Sequence, residues 1–311
     1  MKILVTGGRG TVGRSLVAEL EHRGHEVYFC DLYQFHHPKY RRCDVRSLRQ
    51  LRRIFDEHSF DYVYHLAAEF GRHNGEDFYE NLWQTNVIGT KNVLALQRER
   101  GFRLVFFSSS EVYGDYDGIM SEEVMEKYAI RQLNDYAMTK WVGEMQVVNA
   151  QEVFDSETVR VRLFNIYGPG EFYSPYRSAI CIFCYRALFG QSYKVFLGHH
   201  RTSLFITDAV RTLGRIADEF HPGQVYNIGG AEYHDMKTVS DMVLAELGCS
   251  DEKVEYVEME PLTTRDKKVD TSRVESELGH QVQVGLQEGI SRTIEWMKKE
   301  YKDSEIEISK T

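Results

Sequence analysis

Lys2-Ile3-Leu4-Val5-Thr6-Gly7-Gly8-Arg9-Gly10-Thr11-Val12-Gly13 is the stretch that decides the fold. Ile3, Leu4 and Val5 form a short apolar run of the kind buried in a parallel sheet. Thr6–Gly10 reads as a tight turn, and Val12, Leu16, Val17 and Leu20 give the next segment a helical apolar face that ends near Gly24. Gly7, Gly10 and Gly13 are three apart. Glycines there permit the turn, let backbone N–H groups approach a pyrophosphate, and let helix and strand pack closely. The triplet alone fits an ordinary strand–turn–helix as well as a nucleotide turn.

The following strand separates the two readings. His25–Cys30 is a second apolar run, closed by Asp31 18 residues after Gly13. A carboxylate at that strand end accepts hydrogen bonds from ribose hydroxyls and repels a 2′-phosphate, which points to NAD. Arg9, Arg41 and Arg42 stand near enough in sequence to keep NADP as an alternative.

The 311 residues suffice for one large domain or two modest ones. A formal charge of −9 argues against nucleic acid or an anionic membrane as partner. Six arginines lie between Arg41 and Arg53; Arg46, Arg49 and Arg53 are spaced as the wet face of a helix with Leu48, Leu51, Ile54 and Phe55 inward. Cys30, Cys43, Cys181, Cys184 and Cys249 have no disulfide-framework spacing. Cys181 and Cys184 sit in an apolar run where core packing is expected, and no metal site is expected anywhere. The first strand begins at residue 2 and no apolar run is long enough to span a membrane, so the expected location is cytoplasmic.

Farther along, Phe60–Ala68 reads as a strand running into small residues, Asn86–Arg100 as a helix, and Phe102–Ser108 as a strand. The exit of that strand, Ser108-Ser109-Ser110-Glu111, is polar where an open α/β sheet binds ligands. Tyr136–Phe154 is a long helix capped by Asn134 or Asp135, and Thr158–Phe164 a further strand. The alternation predicts an α/β fold, a doubly wound parallel (Rossmann) sheet over 1–167. Residues 168–311 are expected to form a smaller C-terminal α/β substrate domain, with parts of about 204–229 returning to the sheet. Residues 301–311 are expected to fray.

Tyr136 and Lys140 are one helical turn apart. A phenol ordinarily titrates near ~10; a neighbouring ammonium and a cationic nicotinamide ring would lower it toward working pH. Here the chain resembles the extended short-chain dehydrogenase/reductases, specifically the NAD-dependent nucleotide-sugar epimerase/dehydratase family, over nearly its whole length. Gly7–Gly13 resembles the cofactor turn of that family, including Thr11 and Val12, and Asp44-Val45 its adenine-contacting pair. His65-Leu66-Ala67-Ala68 and Thr85–Thr90 resemble its strand-end and helix motifs. Ser109, Tyr136 and Lys140 match its catalytic serine and YxxxK. Asn165–Gly170, Arg201 (seven residues before Asp208) and Arg265 resemble segments that meet the substrate's phosphates, although Ser203 replaces a usual aromatic.

The resemblance implies a homodimer with bound NAD acting on a nucleotide sugar. Tyr136 would take the C4 hydroxyl proton while hydride passes to NAD, Lys140 would bind the nicotinamide ribose, and Ser109 would hydrogen-bond the substrate oxygen. Ser110 and Glu111 resemble a triplet of dehydratases and uronic-acid decarboxylases. The sequence reading leans to a 4,6-dehydratase with Glu111 as C5 base. A 4-epimerase, a uronate decarboxylase and a catalytically silent NAD-binding sensor remain as alternatives.

Overall fold

The computed structural model describes residues 1–302. Its centre is a seven-stranded sheet made of β1 (Lys2–Thr6), β2 (Glu26–Asp31), β3 (Tyr40–Arg42), β4 (Tyr62–His65), β5 (Arg103–Ser109), β6 (Thr158–Leu163) and β7 (Val225–Ile228). Every pairing is parallel and the order is β3-β2-β1-β4-β5-β6-β7. The chain winds outward from β1 to one edge, returns, and winds outward again from β4. The crevice at that reversal is where such sheets bind ligands.

Strand alternation sorts the core into two layers. Ile3, Val5, Tyr62, Tyr64, Val159 and Val161 face one side, packed by α1 (Thr11–His22) and a later helix, Ile206–Asp218. Leu4, Val63, Leu104 and Phe106 face the other, covered by α2 (Leu48–Glu57), α3 (Gly89–Arg100) and α4 (Asp135–Phe154). Parallel strands buried on both faces explain the near-continuous apolar runs of the sequence. Within 204–229, Val225–Ile228 forms the edge strand β7 beside β6, whereas Leu204–Phe205 pairs with Ile166–Tyr167 in a separate two-stranded sheet.

Several elements differ from their sequence outlines. The strand expected over 60–68 stops at His65, so Leu66, Ala67 and Ala68 belong to the loop beyond it. The helix expected from Asn86 opens earlier, with a helical turn Tyr79–Trp83 and a π-helical turn Gln84–Ile88 before α3. Arg46 lies ahead of α2 and pairs with Asp44, so it is not on the helix's wet face; Arg49, Arg52 and Arg53 are. Asn134, not Asp135, caps α4, accepting from the Ala137 N–H at 2.7 Å. Tyr301 is packed, its hydroxyl accepting from the Tyr173 N–H; the rest of the segment expected to fray, 303–311, is outside the described residues.

The C-terminal part adds a four-stranded sheet, in the order Tyr233–Asp235, His200–Thr202, Asp266–Val269 and Ile119–Met120, which no sequence pattern announced. Cys181 and Cys184 are core residues of helix Ala179–Leu188.

Candidate active site

A cleft of about 660 Å³ opens beyond the C-terminal ends of the strands, lined by Thr11 and Val12 of α1, the β5 exit, Tyr136, Asn165 and Arg201. Its floor at the glycine turn is tight. Gly7 has φ of +70°, and a Cβ on it would stand 2.7 Å from the Ala67 nitrogen. A side chain there would force the turn off the β4 exit. Helix α1 begins at Gly10 with no side-chain cap and no acidic residue in its first turn. Its first N–H groups and the positive end of its dipole are left for an anion.

Asp31 ends β2 as expected. Its carboxylate accepts from the Arg9 N–H (3.0 Å) and the Leu32 N–H (2.7 Å), which orients it over the turn. The three arginines weighed for NADP are engaged elsewhere. Arg9 lies over the Phe35 ring at 3.9 Å, Arg41 pairs with Glu57, and Arg42 donates to the Leu32 carbonyl. Bare backbone donors at α1, the close Gly7 turn and a fixed carboxylate at the β2 end fit a dinucleotide of the NAD type. The Asp44 carboxylate departs from expectation: Arg46 binds both its oxygens (2.9 and 2.7 Å to Oδ2, 3.0 Å to Oδ1) and holds it low in pKa. Val45 is buried, and a Cβ on Gly89 would stand 2.8 Å from its Cγ2.

The strand-end and helix motifs act as fasteners. Thr6 Oγ1 accepts from the Ala67 N–H and is bonded to His65 Nδ1 at 2.7 Å. Burial, then the Lys140 charge, lowers His65 to about 3, so it stays neutral. Asn86 accepts from the Glu69 N–H (2.8 Å) and donates to the Glu69 carbonyl and Thr139 Oγ1, tying the β4 exit to α4.

Ser109, Tyr136 and Lys140 are brought together. α4 lies close on β5 because residue 143 is glycine: a Cβ would stand 2.5 Å from the Phe106 ring. Lys140 donates to the Phe107 carbonyl at 2.9 Å, with Nζ 5.9 Å from the Tyr136 ring centroid. The titration differs from the sequence expectation. Burial raises the phenol to about 12, partly offset by a hydrogen bond with Ser109 and increased by the Glu111 charge. Burial lowers Lys140 to about 8 against the pull of Glu144. Desolvation thus outweighs the expected help from the ammonium in the protein alone.

Across the cleft the structure assembles charges the sequence did not group. Glu111 is ion-paired to Lys267, and Arg72 Nε stands 3.9 Å from it. Burial opposes its ionisation, but Lys267 and then Arg72 outweigh burial and hold it at about 2. Arg72 also donates to Glu260 at 2.6 Å, and its Nη1 is buried without a partner. Arg201 reaches the same Glu260 at 3.2 Å and donates to the Thr264, Arg265 and His200 carbonyls. Ser110 is buried at the cleft wall. Asn165 takes a φ of +42°, donates through Nδ2 to the Thr202 carbonyl, and lines the cleft. Arg265 is exposed and does not line the cleft, while its carbonyl accepts from Arg201. Arg72, Glu260 and Lys267 are the residues of this cluster that the sequence did not single out, since no motif or alternation marks them.

A doubly wound sheet with this glycine turn, and with Ser109, Tyr136 and Lys140 gathered beside its cleft, is the frame of a dinucleotide-binding α/β protein. The chain belongs to the NAD dependent epimerase/dehydratase family, whose model matches residues 3–229. Its relatives modify nucleotide sugars. It is 27% identical to the UDP-N-acetyl-alpha-D-glucosaminuronate decarboxylase of Bacillus cytotoxicus, over 96% of this chain and 98% of that one. It is 26% identical to dTDP-glucose 4,6-dehydratase 1 of Escherichia coli K12, over 95% and 92%. Among solved structures, MoeE5 in complex with UDP-glucuronic acid and NAD superposes with a TM-score of 0.85 at 26% identity, covering 96% and 100%. Among the described residues no helix is long and apolar enough to cross a membrane.

Proposed function

We propose that the protein oxidises a nucleotide sugar at C4 and that this sugar carries a C6 carboxylate, which leaves as carbon dioxide. Residues 1–167 would hold the cofactor through Gly7, Gly10, Thr11, Val12, Gly13, Asp31, Val45 and the Leu66–Ala68 loop. Residues 168–302, apart from the returning segment 204–229, would hold the substrate, with Asn165 and Arg201 at its diphosphate. Bound NAD supplies the hydride acceptor. Tyr136 takes the proton of the C4 hydroxyl, Ser109 fixes that oxygen by a hydrogen bond, and Lys140 supplies positive charge beside both.

The observation that carries the choice of outcome is Glu111 held between Lys267 and Arg72. Dehydration needs a base for the C5 proton and an acid for the C6 oxygen. A carboxylate at about 2 is a weak base, and Ser110 is a poor acid. Loss of carbon dioxide from a 4-keto uronate needs neither. The C5–C6 bond breaks, its electron pair moves into the C4 carbonyl, water then protonates C5, and return of the hydride removed at the start would reduce C4 and leave a pentose. Arg72 lines the cleft beside Glu111, and a turn of its guanidinium would bring a charged donor to the carboxylate. The decarboxylase among the relatives supports the same reading. Dehydration is the second reading, because Glu111 lines the cleft beside Ser109. NMR of products formed in deuterated water from UDP-glucuronate, UDP-N-acetylglucosaminuronate, dTDP-glucose and UDP-glucose tests it. A pentose product with deuterium at C5 is expected. A 4-keto-6-deoxy product from dTDP-glucose, with the uronates untouched, would assign dehydration instead; a C4-epimerised sugar keeping its C5 hydrogen would assign epimerisation.

Two further expectations concern the scaffold. Asp31→Ala should lower the preference for NAD over NADP about tenfold or more, the worth of a hydrogen bond to a charged group. Equal binding of both cofactors by the unmodified protein, in a fluorescence titration, would count against it. The protein is also expected to be a homodimer, because α4 leaves Met138, Met145, Val153 and Phe154 exposed. A monomer mass in sedimentation at micromolar concentration would overturn that.

A further inference from the structure

We infer that Lys267 is a positioning residue: from the C-terminal part, behind the cleft wall, its ammonium fixes the Glu111 carboxylate at the sugar-facing end of β5. The inference rests on the reading of Glu111 as a sugar-site residue, and extends it to a side chain that does not itself line the cleft.

The placement is specific. Lys267 sits in the strand Asp266–Val269, is 2% exposed, and gives its Nζ to Glu111 Oε1. That strand is held on both sides, by His200–Thr202, where Arg201 pairs in register with Lys267, and by Ile119–Met120 beyond Lys268. The lysine therefore has little freedom to withdraw. A second ion pair joins the same two parts in the opposite sense, Arg72 from the first half to Glu260 from the second. Of the four groups, Glu111, Arg72 and Glu260 line the cleft and Lys267 stands behind them.

The charged and titratable groups around Glu111 are Lys267, Arg72, Arg201 and Tyr136, with Glu260 and His199 behind the arginines. Among them Lys267 makes the direct contact, whereas Arg72 stands at 3.9 Å and is shared with Glu260. Without the ammonium, Glu111 would be a buried carboxylate with one distant, shared partner. Such a group takes up a proton as pH falls and swings free of its fixed position. The same negative charge acts on the Tyr136 phenol, so the ammonium also limits how far Glu111 hinders ionisation of the tyrosine.

Carboxyl-carbon NMR of the protein labelled with [5-13C]glutamate tests this, the Glu111 resonance being the one lost in Glu111→Gln. In the unmodified protein it should remain ionised down to pH 4. In Lys267→Met, or in Lys267→Gln if the first variant folds poorly by circular dichroism, its midpoint should rise by at least one pH unit. Lys267→Arg should restore the original behaviour. An unmoved midpoint in the neutral variants, or an arginine variant that behaves like them, would overturn the inference. With UDP-glucuronate as substrate, kcat of Lys267→Met should fall at least tenfold further at pH 5 than at pH 8, with KM little changed. A pH profile parallel to that of the unmodified protein would also count against Lys267. If the unmodified protein leaves UDP-glucuronate unchanged, the functional reading fails, and the carboxyl titration still decides the role of Lys267.

Discussion

Tyr136→Phe is expected to lower turnover by about 10²–10⁴-fold, the usual worth of a positioned proton-transfer group, while nucleotide-sugar affinity stays within about twofold. The phenol stands at the β5 exit, lining the cleft beside Ser109. The groups suited to the diphosphate, Asn165 and Arg201, come from other segments and keep their own partners. Removing one oxygen costs little packing, because the ring remains in place. The phenol's position at about 12 in the protein alone makes the prediction sharper. Its proton is strongly held, so a catalytic role requires positive charge to gather at the site during the reaction, from Lys140 and from the oxidised nicotinamide. Turnover should therefore rise with pH on its acidic side. Calorimetric binding together with steady-state rates decides the matter. Lost affinity with an unchanged rate would show that Tyr136 belongs to binding and that another group moves the proton.

What the sequence revealed and what it hid follow the range of the interactions. The glycine turn, Asp31 and the Tyr136/Lys140 pair are local: strand, turn and one helical turn place them whatever the rest of the chain does. The doubly wound parallel sheet was legible in the same way, through apolar runs separated by amphipathic helices. The pairs that define the sugar end of the cleft are not local. Glu111 and Lys267 are 156 residues apart, and Arg72 and Glu260 188 apart, joined only when the two halves of the chain close on each other. No periodicity or motif carries that information. A motif match does not say where a side chain rests: Arg201 lines the cleft, whereas Arg265 is exposed beside it. The raised pKa of Tyr136 was hidden for a third reason, since desolvation depends on burial that only the assembled fold determines.

Glu144→Ala should cost about 3–5 kcal/mol of stability, the measured range for removing one partner of a buried ion pair. Glu144 is one turn beyond Lys140 on α4 and completely buried. It accepts from Arg162 through two bonds (2.9 and 2.8 Å), from the Ser108 hydroxyl at 2.5 Å, and lies 3.6 Å from Arg160. Arg162, itself 1% exposed, continues to the Tyr113 hydroxyl, which donates to Asn227 at 2.7 Å. One carboxylate therefore ties α4 to β5, β6 and β7 directly beneath Ser109. Its removal leaves the Arg162 guanidinium buried without a counter-charge, which is costlier than the loss of the bonds alone. Chemical denaturation should show a lower midpoint with an unchanged slope. Replacing both partners, as in Glu144→Leu with Arg162→Met, removes the stranded charge and should recover more than half of the loss. A single variant within about 1 kcal/mol of the unmodified protein would mean that water or Arg160 rearrangement compensates, and that the network orders the Ser109 end of β5 without holding the fold together.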